Sequence, residues 1–529
     1  MIGIGSNDDI TLKLGTSTVS KAYWGTQQVY PNVTPPTPSG YDTQYFTIEA
    51  TNAGTLYFRD NTTPFEYSLD DGSTWNTSTT TNTYNLGNGE KILFRCTNPS
   101  INSTQGIGHF YASVGQFKVY GNIMSLLYGS NFIGQTTFPY ADNTYILSEL
   151  MYSFTTLTDA ENLVLPATTL STRCYYQMFE SCTALTNAPQ LPATTLANSC
   201  YSNMFHNCSA LTNAPALPAT TLAESCYGNM FQGCTSLTTA PTLPATTLVS
   251  YCYSGMFQDC TSLTSAPVLP ATTLANSCYS GMFQDCTHLT SAPVLPATTL
   301  ADWCYGSMFR DCTSLTTAPA LPATTLADYC YSDMFYNCTS LTIVPSVLPA
   351  TTLAERCYSG MFYGCTSLTS APSVLPATTL AERCYSGMFQ DCTSLTTAPE
   401  LPATTLAQSC YSNMFRGCTS LTSAPVLPAT TLATSCYQNM FFRCSRLTTA
   451  PALPATTLVS GCYSQMFRDC TDLNYIKAMF TTTPSTTYTS NWVRSVASSG
   501  TFVKNVNATW TTTGNSGIPS GWTVQTASE

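Results

Sequence analysis

The chain has 529 residues and a net charge of −11, with 43% hydrophobic and only 9% charged residues. Soluble domains usually carry about a quarter charged residues, so this surface must be built mainly from neutral hydroxyl and amide groups. No Lys lies between Lys118 and Lys477, which excludes the rows of cations that nucleic acid or an anionic membrane demands.

The first residues, with Asp8 and Asp9 among them, lack the basic and apolar regions of a secretory leader. No stretch reaches the roughly 18 apolar residues of a membrane-spanning helix, so no membrane insertion is expected. Residues 1–34 carry two short strand signals, at 10–15 and 22–31, joined by glycine turns. Residues 35–40 read Pro-Pro-Thr-Pro-Ser-Gly, a stiff linker. Residues 41–145 alternate apolar and polar positions between Gly, Asn and Asp turns, as at 45–50, 55–59 and 91–95. This pattern predicts a small all-β sandwich domain, with a hairpin across 67–75.

Residues 146–477 are dominated by one repeated tag, Leu-Pro-Ala-Thr-Thr-Leu, which begins at Leu165, Leu191, Leu217, Leu243, Leu269, Leu295, Leu321, Leu348, Leu375, Leu401, Leu427 and Leu453. The step is 26 residues, or 27 where one residue is added at 345–347 and 372–374. An insertion confined to one place marks an outward loop. In the unit starting at Leu191, Thr194 and Thr195 read as helix N-caps. Leu196, Cys200, Met204, Phe205 and Cys208 then form an apolar stripe that predicts a helix of about three turns, widened by Tyr201. Residues 211–216 end in Pro-Ala and predict one short strand. A lone unit cannot bury its stripe, so neighbours must stack. The fold class that follows is an α/β solenoid, parallel sheet on one face and helices on the other, preceded by the β sandwich. Residues 150–158 mimic the unit and predict a degenerate first coil. Residues 478–529 lose Cys, gain Trp492, Trp510 and Trp522, and predict a C-terminal cap.

Every cysteine except Cys96 falls in pairs eight residues apart, as with Cys200 and Cys208, Cys226 and Cys234, Cys252 and Cys260. Eight residues of helix span about 12 Å, too far for a disulfide, and the spacing lacks the close cysteine pair of a zinc site. Disulfides between coils and a bound metal stay open as alternatives, but a ladder of small buried thiols is the expectation. The three histidines, His109, His206 and His288, assemble no catalytic set with a serine, cysteine or aspartate. Acids such as Asp259 and Asp285 recur because the unit recurs. No enzyme activity, metal or cofactor is predicted.

A solenoid binds through its sheet face. The outward strand row is Asn187, Asn213, Thr239, Ser265, Ser291, Thr317, Ser370, Thr397, Ser423 and Thr449, with Ile343 between Thr317 and Ser370. These hydroxyls and amides could contact a repetitive polymer such as a surface polysaccharide, or simply solvate the sheet.

The phrase Met-Phe-x-x-Cys-Thr-Ser-Leu-Thr, at Met308, Met361 and Met388 and with His288 in place of Ser after Met282, resembles the BspA-type leucine-rich repeats of gut and oral bacteria and their phages. The resemblance covers residues 150–477. It implies that Leu211 and Ala214, with their equivalents, point into the core. Residues 1–34 resemble a small N-terminal element of phage virion proteins, Bacteroides phages among them, usually the part that attaches to the particle, and the segments at 491–493, 500–504 and 519–524 resemble the closing segment of similar gut-phage and Bacteroides proteins. The resemblance therefore implies a non-enzymatic virion fibre, spike or decoration protein. Its expected partners are other virion proteins at the N-terminus and host surface polysaccharide or protein at the solenoid, in a homo-oligomer. A bacterial surface adhesin of the same repeat family is the alternative.

Overall fold

The computed structural model describes residues 40–59, 65–78, 81–96, 107–139 and 145–527, and the strand backbones at 13–14, 17–18, 22–24 and 27–30. The linker at 35–39 lies outside the described residues. Near the N-terminus, β1 (Lys13–Leu14) pairs antiparallel with β2 (Ser17–Thr18), and β3 (Ala22–Trp24) with β4 (Gln27–Tyr30).

The region after the linker is β-rich. One sheet contains β5 (Phe46–Asn52), β7 (Phe65–Ser68), β8 (Asn76–Thr77), β10 (Lys91–Cys96) and β12 (Gln116–Asn122). A second contains β6 (Gly54–Arg59), β9 (Thr81–Leu86) and β11 (His109–Tyr111). Aromatic rings fill the space between the sheets: Phe110 on β11 lies 5.7 Å from Phe46 on β5 and 4.7 Å from Phe94 on β10. The expected hairpin forms between β7 and β8. Its loop is tied by Asp70, whose carboxylate accepts from the Thr74 backbone N–H, the Thr74 hydroxyl and the Ser68 hydroxyl. Those bonds hold Asp70 down to about 2. The helix α1 (Ser125–Tyr128) follows β12.

This sheet also starts the array. Strand β12 pairs in parallel with β13 (Leu157–Asp159) and β14 (Leu163–Val164). One continuous hydrophobic core runs from Phe46 through the repeats to Trp522.

The repeat itself departs from expectation on both faces. The apolar stripe is not helical. In the unit beginning at Leu191, residues 197–208 form a ribbon of successive β-turns with a left-handed residue every fourth position: Ser199 (φ 53°), Asn203 (φ 56°) and Asn207 (φ 59°). The N–H groups alternate in destination. Those of Cys200, Ser202, Met204, His206 and Cys208 close local turns onto Ala197, Ser199, Tyr201, Asn203 and Phe205. Those of Ser199, Tyr201, Asn203, Phe205 and Asn207 donate to Glu224, Cys226, Gly228, Met230 and Gln232 of the next coil, at 2.7–3.0 Å. Every donor from Ser199 to Cys208 is thereby satisfied, half within the coil and half across to its neighbour, as buried backbone requires. A period of four brings Cys200, Met204 and Cys208 to one side, with Tyr201 and Phe205 beside them, and all five are buried. That spacing imitates the 3.6-residue helical period closely enough to explain the helix expectation.

The expected parallel sheet is likewise reduced to two lines of isolated parallel bridges. One runs through the second Thr of each tag, as in Thr169, Thr195 and Thr221. The other joins outward-row residues, as in Asn213 to Thr239 and Ser370 to Thr397. Prolines such as Pro215 and Pro218 flank these points. Proline offers no N–H and fixes φ, so it stops a strand from lengthening. Thr194 and Thr195 cap no helix; their N–H groups donate to Thr168 of the preceding coil.

Inside the array the rings form continuous columns. The column from Phe179 to Phe467 has near-parallel neighbours 5.5–5.9 Å apart, and a Tyr column from Tyr175 to Tyr463 runs beside it. Both ends are closed. Residues 145–153 donate to Thr172, Cys174, Tyr176, Met178 and Glu180 of the first full coil. At the other end the N–H groups of Gly461, Tyr463, Gln465, Phe467 and Asp469 reach residues 487–494, through and beyond α2 (Thr486–Thr489). A parallel sheet of β15 (Tyr475–Ala478), β16 (Thr501–Lys504) and β17 (Thr523–Thr526) extends the line of bridges. Trp492 is fully buried 6.1 Å from Phe467, and its indole N–H donates to Gly517.

Candidate functional site

All ten residues of the outward row are exposed. Part of that line's hydrogen-bonding capacity is spent on the solenoid itself. Thr186, Thr290, Thr342 and Thr396, each next to the row, donate their hydroxyls to carbonyls of the preceding coil. The Asn187 and Asn213 amides donate to the hydroxyls of Thr186 and Thr212. The row is regular, small and largely uniform from coil to coil.

The cysteines lie on the inside. All 25 are buried and unpaired. The second cysteine of each pair has a further role that composition did not reveal. Its S–H donates to a carbonyl of the preceding coil, that of Met151 for Cys182 and of Phe for the others, as in Cys208 to Phe179 (3.0 Å), Cys234 to Phe205 (3.1 Å) and Cys260 to Phe231 (3.1 Å). Burial pushes the thiols up, Cys174 and Cys278 to about 12. A protonated thiol is a poor nucleophile and a poor metal ligand, so these columns are packing elements.

The variable edge of the turn ribbon is a different surface. Its first left-handed position is occupied in turn by Arg173, Ser199, Ser225, Tyr251, Ser277, Trp303, Tyr329, Arg356, Arg383, Ser409, Ser435 and Gly461. Trp303 stacks on Tyr329 with ring centroids 4.3 Å apart, and the Arg356 guanidinium lies 5.2 Å from the far side of that pair, over Tyr329. The Tyr329 hydroxyl donates to Glu355 (3.2 Å). Further along the same coils Tyr336 stacks on Tyr363 at 4.4 Å, with Arg310 4.3 Å above Tyr336. At the last left-handed position Asp259, Asp285 and Asp311 follow one another, and burial, helped by the two neighbouring carboxylates, raises Asp285 above the usual carboxylate range. The one signal for this edge in the sequence is that it breaks the repeat.

A family model for BspA-type leucine-rich repeats matches the chain in overlapping stretches, 137–264, 198–342, 305–402 and 355–491, in 6 copies. The chain belongs to the BspA-type leucine-rich repeat family. Among solved structures, this BspA-type chain is similar to a leucine-rich repeat protein from Bacteroides ovatus, with 16% identity over 79% of this chain and 96% of that one, at a TM-score of 0.41. It is also similar to TLR13 from a TLR13–ssRNA13 complex, with 13% identity over 69% of this chain and 46% of that one, at a TM-score of 0.23. No curated protein matches it.

The histidines of this BspA-type array sit apart. His206 faces Glu180 at 3.2 Å, and the His288 ring contacts the Thr261 carbonyl at 2.6 Å in another coil. Among the described residues, no helix is long and apolar enough to cross a membrane.

Proposed function

We propose that this chain is a non-enzymatic attachment protein that displays its array to the surface of a cell. The observation behind this reading is the division between inside and outside. Each coil commits its Cys, Met, Phe and Tyr side chains to one closed core, and both ends of the array are sealed. What is left for function is a long exterior poor in charge. Membership of the BspA-type family favours a bacterial surface adhesin.

The more specific reading is a virion fibre, spike or decoration protein. It is favoured by the two short hairpins at 13–30 ahead of the β region, which resemble a particle-attachment element. Here the N-terminus would engage other virion proteins in a homo-oligomer while the array meets host polysaccharide or protein. Immunogold microscopy with antibody to the array separates the two. Label on phage particles supports the virion reading, and label on uninfected bacterial cells supports the adhesin. Failure of the purified chain to bind any bacterial cells would overturn attachment itself.

A further inference from the structure

We infer that the turn-ribbon edge between Tyr251 and Arg383 binds the rings of a neutral saccharide chain. This deepens the attachment reading and rests on it for its biological setting.

Backbone strain marks this edge. The ribbon imposes a positive φ at this position in every coil, and outside the proposed edge small residues fill it at Ser199, Ser225, Ser409, Ser435 and Gly461, with Arg173 in the first coil as the exception. Tyr251 (φ 59°), Trp303 (φ 58°), Tyr329 (φ 56°), Arg356 (φ 50°) and Arg383 (φ 52°) are bulky residues held in the same conformation. A left-handed conformation is unfavourable for residues with a large side chain. Such outliers persist where function selects them, and five of the six at this position lie within six consecutive coils.

The neighbouring backbone accommodates the large ring. Gly306 stands where the units on either side carry Ser280 and Ser332. A Cβ at Gly306 would come within 2.9 Å of the Trp303 ring. The unit that gained the indole thus carries the glycine that makes room for it. Trp303 stays 39% exposed and Tyr251 46% exposed. Nothing in core packing calls for exposed rings here.

The chemistry around the rings fits a sugar. An exposed indole offers an apolar face that suits the C–H face of a pyranose, while the sugar hydroxyls need fixed acceptors and donors around it. Asp302 accepts from the Asp328 backbone N–H (3.2 Å), and Asp328 accepts from that of Glu355 (2.9 Å). Both carboxylates are therefore oriented by the next coil while remaining exposed. Arg356 and Arg383 lie beside Glu355 and Glu382 at 3.8 and 3.7 Å. Carboxylates and guanidiniums interleave, with acids in slight excess, which disfavours a polyanion and suits a polyhydroxyl ligand. The position recurs once per coil along the solenoid axis, so an extended sugar chain laid along it passes these side chains in succession.

The test uses the full chain. Isothermal titration against soluble neutral polysaccharides (a glucan, a mannan and a galactan) and one polyuronate is run for the wild type, for Trp303→Ser, Tyr329→Ser and their double variant, and for Ser291→Ala/Thr317→Ala in the outward row. Serine is what five other coils carry at this position, at Ser199, Ser225, Ser277, Ser409 and Ser435, and equal melting midpoints verify that the variants fold. The expected result is binding of at least one neutral polymer, weakened tenfold or more by Trp303→Ser and unchanged by the outward-row variant. Binding of the polyuronate alone, no binding to any neutral polymer, or full affinity in the double variant would overturn the inference. Cell binding measured in parallel separates it from the attachment reading. A double variant that still binds cells with wild-type affinity sinks the inference alone, whereas polysaccharide binding without cell binding sinks attachment alone.

Discussion

Raising the pH should dismantle this array abruptly, because its core is lined with thiols that the fold keeps protonated. Burial holds Cys174, Cys278, Cys357 and Cys410 at about 12, against about 8.5 for an unfolded cysteine. A thiol whose folded value is raised contributes stability that is fully present below the unfolded value and is lost as pH rises through the folded one. Within that window each pH unit removes about 1.4 kcal/mol per thiol, hence about 3 kcal/mol per coil from its two cysteines. Summed over the array, this exceeds a typical net stability of about 5–15 kcal/mol within roughly one unit. Cys462, in the last coil, is raised less, to about 11, so its contribution is exhausted earlier and that coil loses less than the others. An alkaline titration followed together by circular dichroism and thiolate absorbance tests this. The expected result is a steep transition above about pH 9 in which structure is lost as the thiolates appear. A gradual thiolate titration near 8.5 with the fold intact would refute buried thiol columns.

Other perturbations probe the ribbon and the columns separately. Gly417 (φ 74°) lies under the Asp391 carboxylate of the preceding coil, so Gly417→Ala should cost about 1–2 kcal/mol from the left-handed backbone alone. It should cost more from the clash, and Asp391→Gly should recover the clash part in denaturant titrations. Phe283→Ala removes one ring from a closed column and should lower stability by about 3–5 kcal/mol, read from the denaturation midpoint. The Tyr227 hydroxyl is buried with no hydrogen-bond partner, so Tyr227→Phe should raise the melting midpoint, since an unsatisfied buried hydroxyl costs about 1–3 kcal/mol.

Much of this architecture can be read from the residues. The repeat of Leu191 and its equivalents marks the coils, the buried identity of Cys200, Met204, Phe205 and Cys208 follows from their spacing, and residues 150–158 and 478–529 stand out as different from the unit. The local conformation was harder to read because a four-residue turn ribbon and an α-helix place apolar side chains at almost the same intervals. The discriminating signal lies in the residues between them. Ser199, Asn203 and Asn207 are poor helix formers, and Asn and Gly are among the residues that best tolerate positive φ. A strict period of four, held over Leu196, Cys200, Met204 and Cys208, also drifts off one face of a true helix. The sheet was overstated for a similar reason, since prolines beside each bridge leave room for a single paired residue. The outward row was chosen from the average unit. Averaging hides Tyr251, Trp303 and Tyr329, whose meaning lies in their difference from their equivalents.

Far-UV circular dichroism of the purified chain tests the turn-ribbon account most directly. Among the described residues only 4 in α1 and 4 in α2 are α-helical, so the spectrum should lack the paired minima of helix. Strong helical minima, disappearing on thermal unfolding, would mean that the stripes coil as helices after all and that the inter-coil backbone ladder is not the array's structure.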